Sequence, residues 1–241
     1  MRNSFFRFKQ FTVQQEHCAM KVCTDACLFG AWIAGETNKL PINKVLDIGT
    51  GTGLLSLMYA QQHTNTVIDA IEIDEAAAKQ AADNFKGAPW HQNLHVHHTP
   101  IQNFKARKKE ENQLYDLIIS NPPFFENDLK SNNDKRNLAL HSAALNLDEL
   151  LDACKQFLHP TGLFAVLLPY HRSASFIISA KEKGWQLNKE VNVKQTTKHT
   201  YFRSMLLFST TATELQQEEI IIRDNDVYTP AFAALLNDYY L

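Results

Sequence analysis

The chain predicts an α/β fold in which helices cover a mostly parallel sheet. Three observations carry that reading. From residue 44 onward, short apolar runs alternate with helical stretches, the order that builds βαβ units. The first run ends in a glycine-rich turn, Gly49-Thr50-Gly51-Thr52-Gly53, as a strand-to-helix ligand loop does. The fourth run ends in Asn121-Pro122-Pro123-Phe124, at the same carboxyl edge of the sheet.

The elements follow in order. Thr24 or Asp25 can N-cap a helix through Trp32 and Ile33, since short polar side chains accept from the first free N–H groups. Lys44–Ile48 is the first strand, and Leu54–Gln61 reads as a helix. Val67–Ile73 is the second strand, with Asp74 capping the Ala-rich helix Glu75–Phe85. Leu94–His98 is a third strand, and residues 105–112 form a charged loop or short helix. Leu114–Ser120 is the fourth strand, and residues 126–137 are polar and expected to order only with a partner bound. Leu147–Leu158 is a helix stopped by a His159-Pro160-Thr161-Gly162 turn. Leu163–Leu168 is the fifth strand, and Ser173–Lys183 a helix closed by Gly184. Leu187–Val193 and Tyr201–Phe208 read as a terminal antiparallel pair. Thr229-Pro230 opens a last helix, with Thr as cap and Pro at the first helical position.

At 241 residues, with 44% hydrophobic and 21% charged, the chain can bury one sizeable core and reads as a single globular domain. The formal net charge of -2 excludes a whole-molecule attraction to nucleic acid, so any such partner needs a local basic face. No apolar run spans a bilayer. The start, MRNSFFRFKQFTVQQEH, lacks the apolar stretch and cleavage site of a secretory signal, and a cytoplasmic location is expected. Cys18, Cys23, Cys27 and Cys154 with His17 do not match a paired zinc-ligand spacing. They are read as reduced, structural thiols, and no metal is expected. His95, His97 and His98 are read as strand-end polar residues.

The glycine loop admits two readings. A dinucleotide fingerprint requires G-x-G-x-x-G, but Leu54 stands where its third glycine would be. Asp47 precedes the first glycine, where a carboxylate can accept from an ammonium group. Glu72 stands at the end of the second strand, where one carboxylate can accept from both hydroxyls of a vicinal diol. Its bland alternative is a polar strand end, and Asp74 is left as a helix cap.

The Asn121-Pro122-Pro123-Phe124 loop suits attack by a planar amine. Such a nitrogen has its lone pair delocalised into a ring and must become tetrahedral and positive to react. Two acceptors aimed at its hydrogens favour that change. The Asn121 side-chain oxygen and the Pro122 carbonyl can supply them. Consecutive prolines hold the loop extended, and Phe124 can stack on a base taken out of its own stack.

In this order, the two loops resemble class I S-adenosylmethionine methyltransferases that modify amino groups. Phe6-Arg7-Phe8-Lys9-Gln10-Phe11, the segment Met20–Trp32, Arg136 with Leu140 and His141, and the close from Tyr228 to Leu241 resemble, more narrowly, the bacterial tRNA(Val) adenine-N6 methyltransferases. The resemblance spans nearly the whole chain. It implies a Rossmann-like sheet of seven strands, one antiparallel, in one domain of residues 1–241. Residues 1–35 would form a cofactor-closing segment and residues 210–241 a C-terminal extension. It implies S-adenosylmethionine as cofactor, held by Asp47, Gly49, Thr50, Gly51, Gly53, Glu72 and Ile101, with Thr24 and Asp25 in the closing segment. Asn121, Pro122, Pro123 and Phe124 would be catalytic. Arg136 and His141 would meet tRNA, and, independently of the resemblance, the basic residues Lys198 and Arg203 of the predicted final hairpin are expected to do so as well. One departure stands out: the stretch from His97 to Asn103 holds no carboxylate, where many members place one for the cofactor adenine, so a backbone group near Ile101 or the Gln102 side chain is expected there.

Basic residues cluster in three places. Lys105, Arg107, Lys108 and Lys109 are diluted by Glu110 and Glu111; Lys130, Lys135 and Arg136 follow the catalytic loop; Lys194, Lys198 and Arg203 interleave with Tyr201 and Phe202. A monomer acting on tRNA is the expectation. The loop chemistry alone also admits guanine N2 of rRNA, adenine N6 of DNA or a protein glutamine, and a non-catalytic cofactor-binding RNA adaptor is the alternative of a different class.

Overall fold

A computed structural model describes residues 4–18, 20–104, 114–123 and 146–241. Phe124, Arg136, His141 and the stretches 105–112 and 126–137 lie outside the described residues.

The chain opens with a small hairpin, β1 (Phe5–Arg7) and β2 (Thr12–Gln14), followed by helix α1 (Thr24–Glu36). Strand β3 (Lys44–Ile48), helix α2 (Leu54–Gln62), β4 (Val67–Glu72), α3 (Glu75–Lys86) and β5 (Leu94–His98) come next. Beyond them lie β6 (Tyr115–Ser120), α4 (Leu147–Phe157), β7 (Leu158–Pro169), α5 (Tyr170–Glu182), β8 (Gln186–Thr196), β9 (Tyr201–Ser209), β10 (Gln216–Asp224), β11 (Val227–Tyr228) and α6 (Pro230–Leu236).

The main sheet has nine strands in the order β11-β10-β8-β9-β7-β6-β3-β4-β5. The expected seven are its β8-to-β5 part, with β9 antiparallel to both neighbours. Two strands extend it: β10 runs parallel to β8, and β11 pairs antiparallel with β10. The extension was not legible because Gln216–Glu219 is polar and exposed, with burial beginning only at Ile220.

Alternate residues of the central strands enter opposite cores, as the two-residue period of a strand requires. Val45, Leu117, Ile119 and Leu167 pack with α1, α2 and α6. Leu46, Ile118, Phe164 and Val166 pack with α4 and α5. Burial on both faces explains why these strands read as continuous apolar runs.

The chain leaves β3 for β4 and β5 on one side, then returns to β6 on the other. That places the switch point between β3 and β6, where open α/β sheets bind ligands at the carboxyl ends of their strands. Buried Ser120, the last residue of β6, donates to the Ile48 carbonyl at 2.8 Å. This bond ties the two functional loops together.

Two local expectations need correction. Neither Thr24 nor Asp25 caps α1: the cap position is Cys23, in extended conformation and without a side-chain cap bond. Asp25 is instead paired to Arg203. The His159–Gly162 stretch is a register break within β7 and not a separate turn, since Leu158 pairs with Tyr115 and Leu163 with Leu117.

The two ends of the chain meet. Lys9 N–H donates to the Tyr239 carbonyl at 2.9 Å, and the Phe6 ring lies 5.9 Å from that of Tyr240. Buried Tyr239 donates its hydroxyl to the Met58 carbonyl at 3.1 Å, which docks α6 and its tail on α2. The α6 cap is as the sequence predicts: Thr229 Oγ1 accepts from Phe232 N–H, with Pro at the first helical turn. The same hydroxyl donates to the Ile221 carbonyl on β10. Thr229→Ala removes both bonds and should lower stability by about 1–2 kcal/mol, measured by chemical denaturation. An unchanged midpoint would mean that water replaces both.

Candidate active site

The central strand ends by burying a carboxylate. Asp47 Oδ2 accepts from Thr50 Oγ1 at 2.6 Å and from Ser56 Oγ at 2.7 Å. The Ser56 backbone N–H, in the first turn of α2, bonds the same carboxyl group. Asp47 Oδ1 is buried and has no partner among the described residues. Burial pushes the Asp47 carboxyl up to about 6, against the opposing hydrogen bonds from Thr50 and Ser56.

The turn that follows requires glycine. Gly49, Gly51 and Gly53 have φ of 75°, 55° and 82°, a region that residues with a Cβ avoid. A Cβ on Gly49 or Gly51 would meet nothing within 4 Å, so the backbone there borders open space. Gly53 differs: a Cβ would lie 2.5 Å from the Phe85 ring, so this glycine lets α3 pack against the loop.

Strand β4 braces the turn. The Ile71 carbonyl accepts from Gly49 N–H at 2.9 Å and Thr50 N–H at 3.1 Å. Glu72, 9% exposed, accepts from Gly51 N–H through Oε2 at 2.9 Å. Its Oε1 accepts from Ile73 N–H and Asp74 N–H at 2.8 and 2.9 Å. Glu72 thus bridges the ends of β3 and β4, while Asp74 caps α3 by accepting from Ala77 N–H at 2.8 Å.

Asn84, Ser56 and Ser120 complete the frame, and none of them stood out in the sequence. Asn84 on α3 donates to the Thr52 carbonyl and to the Gln14 carbonyl, each at 2.8 Å, and accepts from Gln14 N–H at 2.8 Å. It therefore joins the N-terminal hairpin to the glycine loop. The signal, an amide on the buried side of an Ala-rich helix that also buries Gln80, has no partner visible from sequence. The chain beyond the hairpin stays near the site: burial, then the carboxylates of Glu72 and Asp74, push the Cys18 thiol up to about 11.

The remaining expected residues scatter along the same edge. Asn121, half-buried, and Pro122, buried, continue β6 beside the end of β3, while Pro123 is exposed. Ile101 is buried in a 3-10 turn after β5, and Gln102 points instead to Glu149, 3.4 Å away. Thr24 opens α1. Asp25 and Arg203 meet in an ion pair of 2.6 Å, so one expected cofactor residue and one expected RNA residue hold each other. Lys198 is exposed in the β8–β9 turn. His97 Nε2 lies 2.6 Å from Asp69 Oδ1, which shares its carboxylate with the Tyr115 hydroxyl; His98 Nε2 lies 3.1 Å from the Ile73 carbonyl. Among the described residues no group of three His, Cys, Asp or Glu could hold a metal ion, and no helix is long and apolar enough to cross a membrane.

Fold and site define a class I methyltransferase, and the family model for the methyltransferase small domain matches residues 36–179. A tRNA1(Val) (adenine(37)-N6)-methyltransferase of Dyadobacter fermentans is 41% identical over 100% of this chain and 98% of its own length. One of the same name from Flavobacterium psychrophilum is 41% identical over 98% and 99%. The chain belongs to the tRNA1(Val) (adenine(37)-N6)-methyltransferase family. In fold it also matches a solved structure described as a predicted O-methyltransferase from Agrobacterium tumefaciens, with TM-score 0.65 at 14% identity over 89% of this chain and 96% of that one.

A raised carboxyl pKa binds its proton more tightly in the folded state, so Asp47 contributes stability below its unfolded value and loses it as pH rises through about 6. Asp47→Asn removes that titration. The unfolding free energy of the ligand-free variant, relative to wild type, should rise by about 2 kcal/mol between pH 4 and pH 7.5. Denaturation curves at the two pH values check it, and a pH-independent difference would show that the carboxyl is not perturbed.

Proposed function

We propose that the protein transfers a methyl group from S-adenosylmethionine to the exocyclic N6 of an adenine in tRNA, next to the anticodon of a valine tRNA. The observation that carries this reading is the Ser120–Ile48 bond. It sets the Asn121-Pro122 acceptors directly beside a glycine loop whose buried acid has an unmatched oxygen. The activity for which the relatives matched along nearly their whole length are named supplies the substrate.

The residues fit the cofactor. An ammonium group would meet the unmatched Oδ1 of Asp47, and the open backbone at Gly49 and Gly51 leaves room for close approach. Glu72 would accept from the ribose diol, with the bond to Gly51 holding its carboxylate at the loop. S-adenosylmethionine supplies a methyl group on a positively charged sulfur. Asn121 Oδ1 and the Pro122 carbonyl accept the two hydrogens of the target amine and favour its tetrahedral, cationic form. No strong base is required, because the methylated nitrogen sheds its extra proton readily. Phe124 would stack on the base. We read the protein as a monomer that needs no metal, and a tRNA substrate is the reason to expect it in the cytoplasm.

Radiolabelled S-adenosylmethionine with unmodified total tRNA should yield label that digests to N6-methyladenosine. Asn121→Ala should lower that rate at least roughly 100-fold, the scale for losing one oriented transition-state contact, with cofactor affinity kept. Label in rRNA, DNA or protein but not in tRNA would move the substrate and leave the chemistry. No transfer to any acceptor would favour a cofactor-binding adaptor.

Cofactor affinity should also follow Asp47. Above pH 6 the carboxylate is charged and calorimetric affinity should be flat; below it, protonation removes the partner of the ammonium and affinity should fall by up to roughly tenfold per pH unit. Methylthioadenosine lacks the ammonium and should show no such fall. A fall for both ligands would place the titrating group elsewhere.

A further inference from the structure

Beyond the site, the same sheet edge carries an aromatic pair that the methyl-transfer chemistry does not use. Tyr170 follows Pro169, which lies opposite Arg203 in the β7–β9 ladder. Lys194 and Tyr201 lie opposite each other in the β8–β9 ladder. The rings of Tyr170 and Tyr201 are 5.0 Å apart at 45°. Tyr170 is 39% exposed although it is a large aromatic group, and Tyr201 is half-buried.

The pair is held in place before any partner arrives. Glu219 on β10 accepts from the Tyr201 hydroxyl at 2.6 Å and pairs with Lys194 at 2.6 Å. Lys194 Nζ in turn sits 4.4 Å from the centre of the Tyr201 ring, a cation–π contact. The ring is therefore fixed at its polar end and backed by a cation. Lys198, exposed in the β8–β9 turn, lies three residues before Tyr201, and among the described residues it has no ion-pair partner. Two preoriented rings with an exposed cation close by in the chain suit an unstacked nucleobase and its phosphate.

Position supports the same partner. Ser120 pairs with Val166, and Tyr170 lies four residues further along the chain, one past the end of β7. At about 3.3 Å per residue the platform is roughly 13 Å past the end of β6, which is roughly four stacked-base steps of about 3.4 Å. A single-stranded loop with its target adenine at Asn121 would reach the rings with a nearby nucleotide.

We propose that Tyr170 and Tyr201 form a stacking platform for a second, non-target nucleobase of the RNA loop, with Lys198 contacting its phosphate. This rests on the tRNA reading above. It would give the enzyme a grip on loop sequence or shape that is separate from the methyl-transfer site.

The test uses the full chain, a fluorescein-labelled unmodified valine tRNA transcript for binding, and the methylation assay. Tyr170→Ala and Tyr201→Ala should each weaken tRNA binding roughly 5- to 150-fold and raise KM for tRNA, with kcat and cofactor affinity near wild type. Tyr170→Phe keeps the ring and should bind tRNA as wild type does, and Tyr201→Phe, which keeps the π face but loses the Glu219 bond, should lose less affinity than Tyr201→Ala. Tyr170→Leu, which fills the space without a π face, should behave as the alanine variant. Wild-type affinity and KM in the alanine variants would overturn the platform while leaving tRNA as substrate. Equal loss of cofactor affinity would also overturn it, because the rings would then only pack the site. A wild-type protein that methylates no tRNA would remove the substrate reading and the platform together.

Discussion

Asp47 sits at the end of the central strand, fully buried, with one oxygen saturated and the other unmatched. Burying a carboxylate this way is unfavourable unless it is fully hydrogen-bonded or paired. The fold supplies half of that compensation from Thr50 and Ser56 and leaves the other half open. Much of the local architecture follows from holding the acid there. The turn must reverse tightly above it, hence three glycines with positive φ. The helix after the turn must start where its first N–H groups point back at the carboxylate, hence Ser56 in its first turn. A buried carboxyl oxygen left without a donor favours the arrival of a hydrogen-bond donor or a cation beside it.

A loop so rich in glycine has little stiffness of its own, and its shape is imposed from outside. Glu72 and the Ile71 carbonyl hold one side. Asn84 holds the other and connects the loop to the hairpin at the start of the chain. That hairpin is fastened through Lys9 and Phe6 to the tail after α6, and the tail to α2 through Tyr239. Segments distant in sequence thus form one continuous brace around the glycine turn. The Asp25–Arg203 pair adds a second tie, between the start of α1 and strand β9. The terminal segments that resemble the tRNA methyltransferases are therefore part of the frame of the site and not appendages to it.

The sequence made visible what is local and periodic. Alternating apolar runs revealed the sheet, and the glycine spacing with Leu54 in place of a third fingerprint glycine separated this loop from a dinucleotide loop. Thr229-Pro230 announced its helix by cap chemistry alone. What stayed hidden depends on partners far away in the chain. Asn84 meets Gln14 across 70 residues, and no pattern on an Ala-rich helix reveals that. Thr24 and Asp25 looked like caps, but a tertiary ion pair to a residue 178 positions away took Asp25 instead. Strand β10 escaped notice because its first half is polar at an edge, where apolar alternation is not required.

The charge distribution bears on how such an enzyme would choose RNA. With a net charge of -2, the chain has no long-range pull on a polyanion. Two cations along the candidate RNA edge already have carboxylate partners: Arg203 with Asp25, and Lys194 with Glu219. Phosphate contacts position a nucleic acid without reading it. Discrimination then falls to contacts with unstacked bases, which only a loop can offer. A protein of this charge is better built to recognise one exposed loop than to hold nucleic acid in general, and a rigid aromatic pair near the acceptor loop suits that requirement.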